Sequence, residues 1–337
     1  MLDSLENSEE NMNKRFLQIN SDLIAYQNAA HAKGFLLQCY QMQGLSNAEE
    51  AAYTNCTRFV YSLEHGDLYL NQAFQSPLAI QPALAFYGLS HYIKACLLTV
   101  DADYPATVQV LAHGLSARKR KKQNYSFLQD EVRTQRYGLF THFSNKMFHV
   151  EHLEGTKLKM NALLKQVPEL SSIFSFQSGK APFEKVQQKD ENYAIPIQLL
   201  DDYQMTEHRF SEFLEAKTMG RVNVIEADKH LIYLKPLSLS LSPPFRFHFF
   251  TNEWVFSKSK ESEAFYPELL IYYSLLYNLS MIARYETEWW YDLLKHAPGK
   301  EYSLIKYFTE VSIQKIPLLI AQFLHTQKNK PSNNESQ

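Results

Sequence analysis

The chain has 337 residues, 45% of them hydrophobic and 14% aromatic, which excludes an intrinsically disordered protein and supplies apolar material for one large core or two smaller ones. A formal net charge of -2 excludes a global field drawing the protein to nucleic acid or to an acidic membrane, so an electrostatic partner has to be met by a local patch.

The opening MLDSLENSEENMNK is acidic and polar, unlike a signal peptide, and residues 1–13 read as a disordered tail. From about 20 to 137 apolar residues recur at helical spacing, as in Phe35, Leu36, Cys39 and Tyr40, then Phe59, Val60 and Leu63. Asn47 and Glu50 have the spacing of a capping box, and Ser76-Pro77 with Gln81-Pro82 opens a further helix. Cys39, Cys56 and Cys96, an odd number without CxxC spacing, read as buried thiols of a protein in the reducing cytoplasm. The oily segment Ala79 to Leu98 is interrupted by His91 and Lys94, and no run of about 18 apolar residues appears, so no membrane span is expected.

Between 138 and 259 the texture changes to an α+β pattern. A helix is expected over Tyr203 to Met219, and short antiparallel strands over Arg221–Ile225, Leu231–Leu234, Phe245–Phe250 and Trp254–Phe256. Phe245, Phe247 and Phe249 alternate with Arg246 and His248, which predicts a half-buried strand with its polar pair on the open face. Helical periodicity returns over 261–326, where Pro317 predicts a kink or break, and 327–337 reads as a second disordered tail. The expected architecture is mainly α with a small α+β insertion, the helical body being built from the N- and C-terminal parts.

Phosphate-loop, nucleophile-elbow and HExxH signatures do not occur, and neither catalytic residues, a metal nor a cofactor is assigned. His142, His149 and His152 lack the cysteines or carboxylates that would complete a metal site. Arg58 with His65, and Arg136 with His142, have the Arg-to-His spacing of HEPN-type ribonucleases. With twelve histidines and several allowed offsets that pattern arises about once by chance.

The strongest local signal is the basic run Arg118, Lys119, Arg120, Lys121 and Lys122, followed by Tyr125 and Phe127. Five successive cations repel one another unless solvated or neutralised by an anion, such as the phosphate of a nucleotide or of RNA, or an acidic patch on a protein. Gly114 can supply a left-handed turn that presents His113 beside the run. Arg284, Trp289 and Trp290 form a second candidate set for a protein interface, with Arg284 and Glu288 at ion-pairing helical spacing.

The segments Gln81-Pro82 through Phe86-Tyr87-Gly88 to Lys94-Ala95, Val110 to Gly114 with Arg118 to Lys122, and Tyr277-Asn278-Leu279-Ser280-Met281-Ile282-Ala283-Arg284-Tyr285 resemble the YaaC-like family of Gram-positive bacteria. The resemblance spans about 20 to 323 and carries over no catalytic residue. It implies a link to guanine-nucleotide synthesis, because genes of the family tend to lie beside that of IMP dehydrogenase, and so a non-catalytic regulatory or scaffolding protein with that enzyme as candidate partner. The helix from Phe86 to Ala95 followed by His113-Gly114 also resembles a feature of helical HEPN-like proteins, which leaves RNA binding or cleavage as the alternative.

Overall fold

The computed structural model describes residues 21, 23–117, 125–236, 239, 242–296 and 299–329. Helix α1 (Ala29–Met42) is capped by Asn28, whose side-chain oxygen accepts from the amides of Ala30 and His31, each at 3.1 Å. Helix α2 (Ala48–Gln75) begins after Asn47, but the capping box does not form. Asn47 has φ -104° and ψ 30°, away from the extended geometry that aims a cap at the first amides, and it makes no capping bond. Helix α3 (Gln81–Leu98) carries Pro82 in its first turn, as expected, and lies against α2.

Strand β1 (Leu115–Ala117), β2 (Glu131–Thr134) and, after helix α4 (Leu139–Phe148), β3 (Lys157–Lys159) form a small antiparallel sheet in the order β1-β2-β3. Helices α5 (Met160–Leu164) and α6 (Ser171–Ser178) follow. Phe140, Phe143, Leu163, Leu164 and Val167 are fully buried in the same core as α1 to α3. Residues 139–174, which the texture of the sequence placed with the middle region, thus feed the helical body.

A second core begins further on. Strands β4 (Phe183–Lys185), β5 (Gln187–Lys189) and β6 (Asn192–Pro196) lead into helices α7 (Leu199–Tyr203) and α8 (Glu207–Thr218), then β7 (Val222–Ala227), β8 (Leu231–Pro236), β9 (Phe245–His248) and β10 (Glu253–Ser257). Two antiparallel sheets result, β5-β6-β8-β7 and β4-β10-β9, with α8 packed on β7. Ile195, Phe210, Leu214, Ile232 and Phe256, from both sheets and α8, share this second core. Phe245 and Phe247 of β9 are buried as expected, yet Arg246 is buried too, at 3% exposure. Its guanidinium donates to the carbonyls of Ala264 and Tyr266 at 2.9 and 2.7 Å, so the segment after β10 covers what was read as an open face.

Helices α9 (Glu268–Tyr285), α10 (Thr287–His296) and α11 (Glu301–Lys328) complete the body. Residues 269 to 280 are buried without interruption, because α9 is enclosed by α3, α5, α10 and α11. Of the kink or break expected at Pro317 the break does not occur: α11 continues as one helix through it, and buried packing against α3 and α9 offsets the one lost backbone hydrogen bond, a cost of about 3 kcal/mol. Lys315 of α11, fully buried, meets Glu268 of α9 at 2.6 Å, Glu169 at 2.9 Å and the Phe247 carbonyl of β9 at 2.6 Å, which ties the second core to the helical body. Among the described residues no helix is long and apolar enough to cross a membrane.

Candidate functional site

Two glycines set the distance between α2 and α3. A Cβ on Gly66 would lie 2.6 Å from the Tyr92 ring, and one on Gly88 would lie 2.9 Å from Leu70. This close approach aligns aromatic side chains across the seam. Tyr69 stacks beside His91, with centroids 5.6 Å apart and planes 11° apart, and lies 5.8 Å from Tyr87. His65 meets His91 edge-on at 5.0 Å. Tyr87, His91 and Lys94 recur at i, i+4 and i+7, so they share one face of α3 over about 10 Å of helix.

The other flank is built by the loop before β1 and by the end of α9. Gly114 adopts φ +77° and Gly138 φ +131°, and their backbones touch where a Cβ on either would clash. That turn fixes His113, whose carbonyl accepts from the Phe140 amide at 3.1 Å and the Tyr273 hydroxyl at 2.8 Å. The His113 ring is thereby held 5.1 Å from Phe86 and 5.7 Å from Tyr277.

Arg284 closes the arrangement. Its Nε donates to the Ser280 carbonyl and its Nη1 to the Tyr87 hydroxyl, both at 3.0 Å, while the guanidinium lies over the Tyr87 and Tyr285 rings. The expected pair with Glu288 is absent. Helix α9 ends at Tyr285 and Glu286 leaves helical geometry at φ -119° and ψ 50°, so the i,i+4 relation is not carried into α10.

These groups perturb one another. His91 is pushed down to about 4, first by burial and then by Lys94 and His65. Burial, then Arg284 and Lys94, lowers His113; burial lowers the Lys94 ammonium. Among the described residues, no carboxylate lies within ion-pair distance of Lys94 or Arg284. Nor does any described group hydrogen-bond to the Lys94 ammonium or to the His91 and His113 rings. Half-buried cations and imidazoles without a counter-charge, set among ring faces, make a surface that an anion with an aromatic portion would complete.

A model of the YaaC-like protein family matches residues 24–324. The chain belongs to the YaaC-like family. No match was found among curated proteins or among solved structures. The family match runs from before α1 into α11 and so includes every residue of this surface.

In this YaaC-like chain the structure unites His113 and Arg284, which the sequence had placed in separate candidate sets. The run Arg118 to Lys122 lies outside the described residues; its flanks are Ala117, at the end of β1, and Tyr125. Trp290 is fully buried, its indole N–H donating to the Ala79 carbonyl at 2.9 Å, so it clamps α10 to the turn before α3 and offers a partner no surface. Trp289 is half-buried, edge-on to Tyr125 at 4.8 Å, and lines a groove of about 420 Å³ with Leu128, Leu293 and Lys300.

The two Arg-to-His pairs are not joined. Arg58 donates to the Tyr104 carbonyl at 2.6 Å, His142 bonds Asp101 at 2.8 Å, and Arg136 lies over Tyr137. His152 meets the Ser144 hydroxyl at 3.1 Å, and His149 ends α4 in a left-handed conformation, so His142, His149 and His152 each have separate local roles. Sequence reasoning missed Tyr69, Tyr87, His91 and Lys94 as site residues. The available signal was the recurrence of Tyr87, His91 and Lys94 on one face of an otherwise oily helix.

Proposed function

We propose that this YaaC-like protein is a non-catalytic regulatory or scaffolding protein of the cytoplasm that binds a protein partner, with IMP dehydrogenase as the candidate, and reads a phosphate-bearing signal where His113 and Arg284 meet. The observation that carries the reading is that His113, Lys94 and Arg284, from three separate stretches of chain, act on one another around Tyr87 with no described carboxylate within ion-pair distance of the two cations. The basic run Arg118 to Lys122 begins five residues after His113 and adds cationic charge to the same stretch of chain. Trp289, in its groove beside Tyr125, supplies an aromatic anchor of the kind that protein partners engage. The link to IMP dehydrogenase rests on what the family resemblance implies about gene neighbourhood.

Affinity capture of the full chain from native cytoplasm, with and without ribonuclease, tests the reading. Stoichiometric recovery of IMP dehydrogenase after ribonuclease supports it, and charge reversal of Arg118, Arg120 and Lys122 to Glu is expected to abolish that recovery with the fold intact. Recovery that depends on RNA, with affinity falling steeply between about 50 and 200 mM salt, would instead favour the HEPN-like RNA-binding alternative.

A further inference from the structure

We infer that the surface between α2, α3 and the end of α9 is a binding site for one nucleoside phosphate, with the phosphate between Lys94, His113 and Arg284 and the base against Tyr69 and His91. The inference rests on the anion-reading part of the proposed function and names its ligand class. The contacts divide the surface into two ranks. Around His113 are the cations: Arg284 at the end of α9, bonded to the Tyr87 hydroxyl at 3.0 Å, and Lys94 two helical turns beyond Tyr87 on the same face of α3, both of which act on the His113 ring. On the α2 side are the ring faces: Tyr69 lies nearly parallel to His91, stacked beside it, and next to Tyr87. Tyr87 joins the ranks, since its hydroxyl accepts from Arg284 while its ring neighbours Tyr69.

Size selects a single nucleotide over a polymer. The α3 face from Tyr87 to Lys94 is about 10 Å long, which matches one base, sugar and phosphate, whereas single-strand binding surfaces repeat cations and rings along several nucleotides. The groups are also fixed before a ligand arrives. Gly66 and Gly88 set the α2–α3 spacing, the Gly114 turn holds His113, and Ser280 and Tyr87 hold Arg284, so little ordering remains to oppose binding. Lys94 makes no hydrogen bond or ion pair with a described residue, so its ammonium is available to a phosphate oxygen. Either histidine gains a counter-charge when a dianion binds, so proton uptake is expected to accompany binding below neutral pH.

Calorimetric titration of the purified full chain tests this with AMP, GMP, adenosine, inorganic phosphate and a 12-nucleotide single-stranded RNA as probes. A mononucleotide is expected to bind more tightly than adenosine or phosphate. Lys94→Gln is expected to weaken it about tenfold or more and Lys94→Arg to restore most of that loss, while Tyr69→Ala weakens the nucleotide about tenfold and leaves phosphate unchanged. Unchanged melting temperatures keep these variants interpretable, and Tyr69→Phe, which retains the ring, is expected to recover most of the affinity that Tyr69→Ala loses. Phosphate binding equal to that of AMP and GMP, with Tyr69→Ala silent, would overturn the nucleoside assignment and leave the anion reading standing. Absence of binding by phosphate and mononucleotides alike would overturn both, and tighter binding of the RNA with a steep salt dependence would assign the surface to a polymer.

Discussion

Arg284 donates its Nη1 to the hydroxyl of Tyr87 at 3.0 Å, across 197 positions of sequence, and so links the last turn of α9 to the half-buried face of α3. The same guanidinium holds the Ser280 carbonyl at the end of its own helix. Tyr87→Phe removes the acceptor without disturbing the ring, and is expected to cost about 1 kcal/mol in urea denaturation. Arg284→Gln is expected to cost more, because it also releases the helix end. In a double-mutant cycle the two are expected to couple by roughly 0.5–1 kcal/mol; strict additivity would show that the bond contributes nothing.

Stability is expected to fall on mild acidification. His91 is held down at about 4, chiefly by burial with Lys94 and His65 adding to it, and His152 is also held at about 4 by burial. In the unfolded chain both titrate near the ordinary value of 6.5. As pH drops the unfolded state therefore takes up protons first. The contribution of the neutral rings is complete above about pH 6.5 and is lost progressively towards pH 4; because solvent reaches part of both rings and screens the effect, it is on the order of 1 kcal/mol for each. Thermal melts at half-unit steps from pH 7 to 4 check this: His91→Gln and His152→Gln should each flatten the curve, and a curve unchanged in both variants would contradict it.

Much of the fold was legible because helical spacing and strand alternation are local properties. The strands β7 to β10 and the helix α8 fall close to where alternation and periodicity put them, and Pro82 sits in the first turn of α3 as its residue type dictates. Pairing across distance was not legible. Arg246 looked solvated on an alternating strand, but the segment from Ala264 to Tyr266 returns to cover it. Arg284 and Glu288 had ideal spacing, but the helix ends between them. The site divided in the same way: His113 and Arg284 stood out by local composition, whereas Lys94 and His91 read as interruptions of an oily helix. Their role depends on a loop and a helix end that reach α3 from elsewhere in the chain.

Glycine substitutions separate packing from propensity. At Gly66 an added methyl would lie 2.6 to 2.8 Å from the Tyr92 ring, which is fully buried and tied by its hydroxyl to Asp67. Gly66→Ala is therefore expected to push α2 from α3 and destabilise the protein by about 1–3 kcal/mol, and to weaken any ligand that needs Tyr69 beside His91. Gly34, exposed within α1, has nothing within 4 Å of the corresponding position. Gly34→Ala is expected to stabilise by about 0.5–1 kcal/mol, through helix propensity alone. Chemical denaturation of the two variants side by side would show opposite signs; a stabilising Gly66→Ala would mean that the two helices are not held at contact distance.

Lys315 is the charge whose loss should cost most. Its ammonium is the shared partner of Glu169 and Glu268, and it also donates to the Phe247 carbonyl, all in a region closed to solvent. Lys315→Met fits the apolar surroundings but strands two carboxylates there, so a loss of about 3–5 kcal/mol is expected. Burial already raises the Glu268 carboxyl, and Lys315 opposes that rise, so removing the lysine should leave Glu268 easier still to protonate. A carboxyl titrating higher in the fold than in the unfolded chain stabilises the protonated fold, and that contribution is lost as pH rises through the folded value. The deficit of Lys315→Met should thus be smaller at pH 5 than at pH 8. Adding Glu169→Gln and Glu268→Gln should recover part of it at pH 8, because neutral amides no longer require a counter-charge. Urea denaturation of the single and triple variants at both pH values decides the matter: a deficit independent of pH, with no recovery in the triple variant, would mean that Lys315 contributes through shape alone.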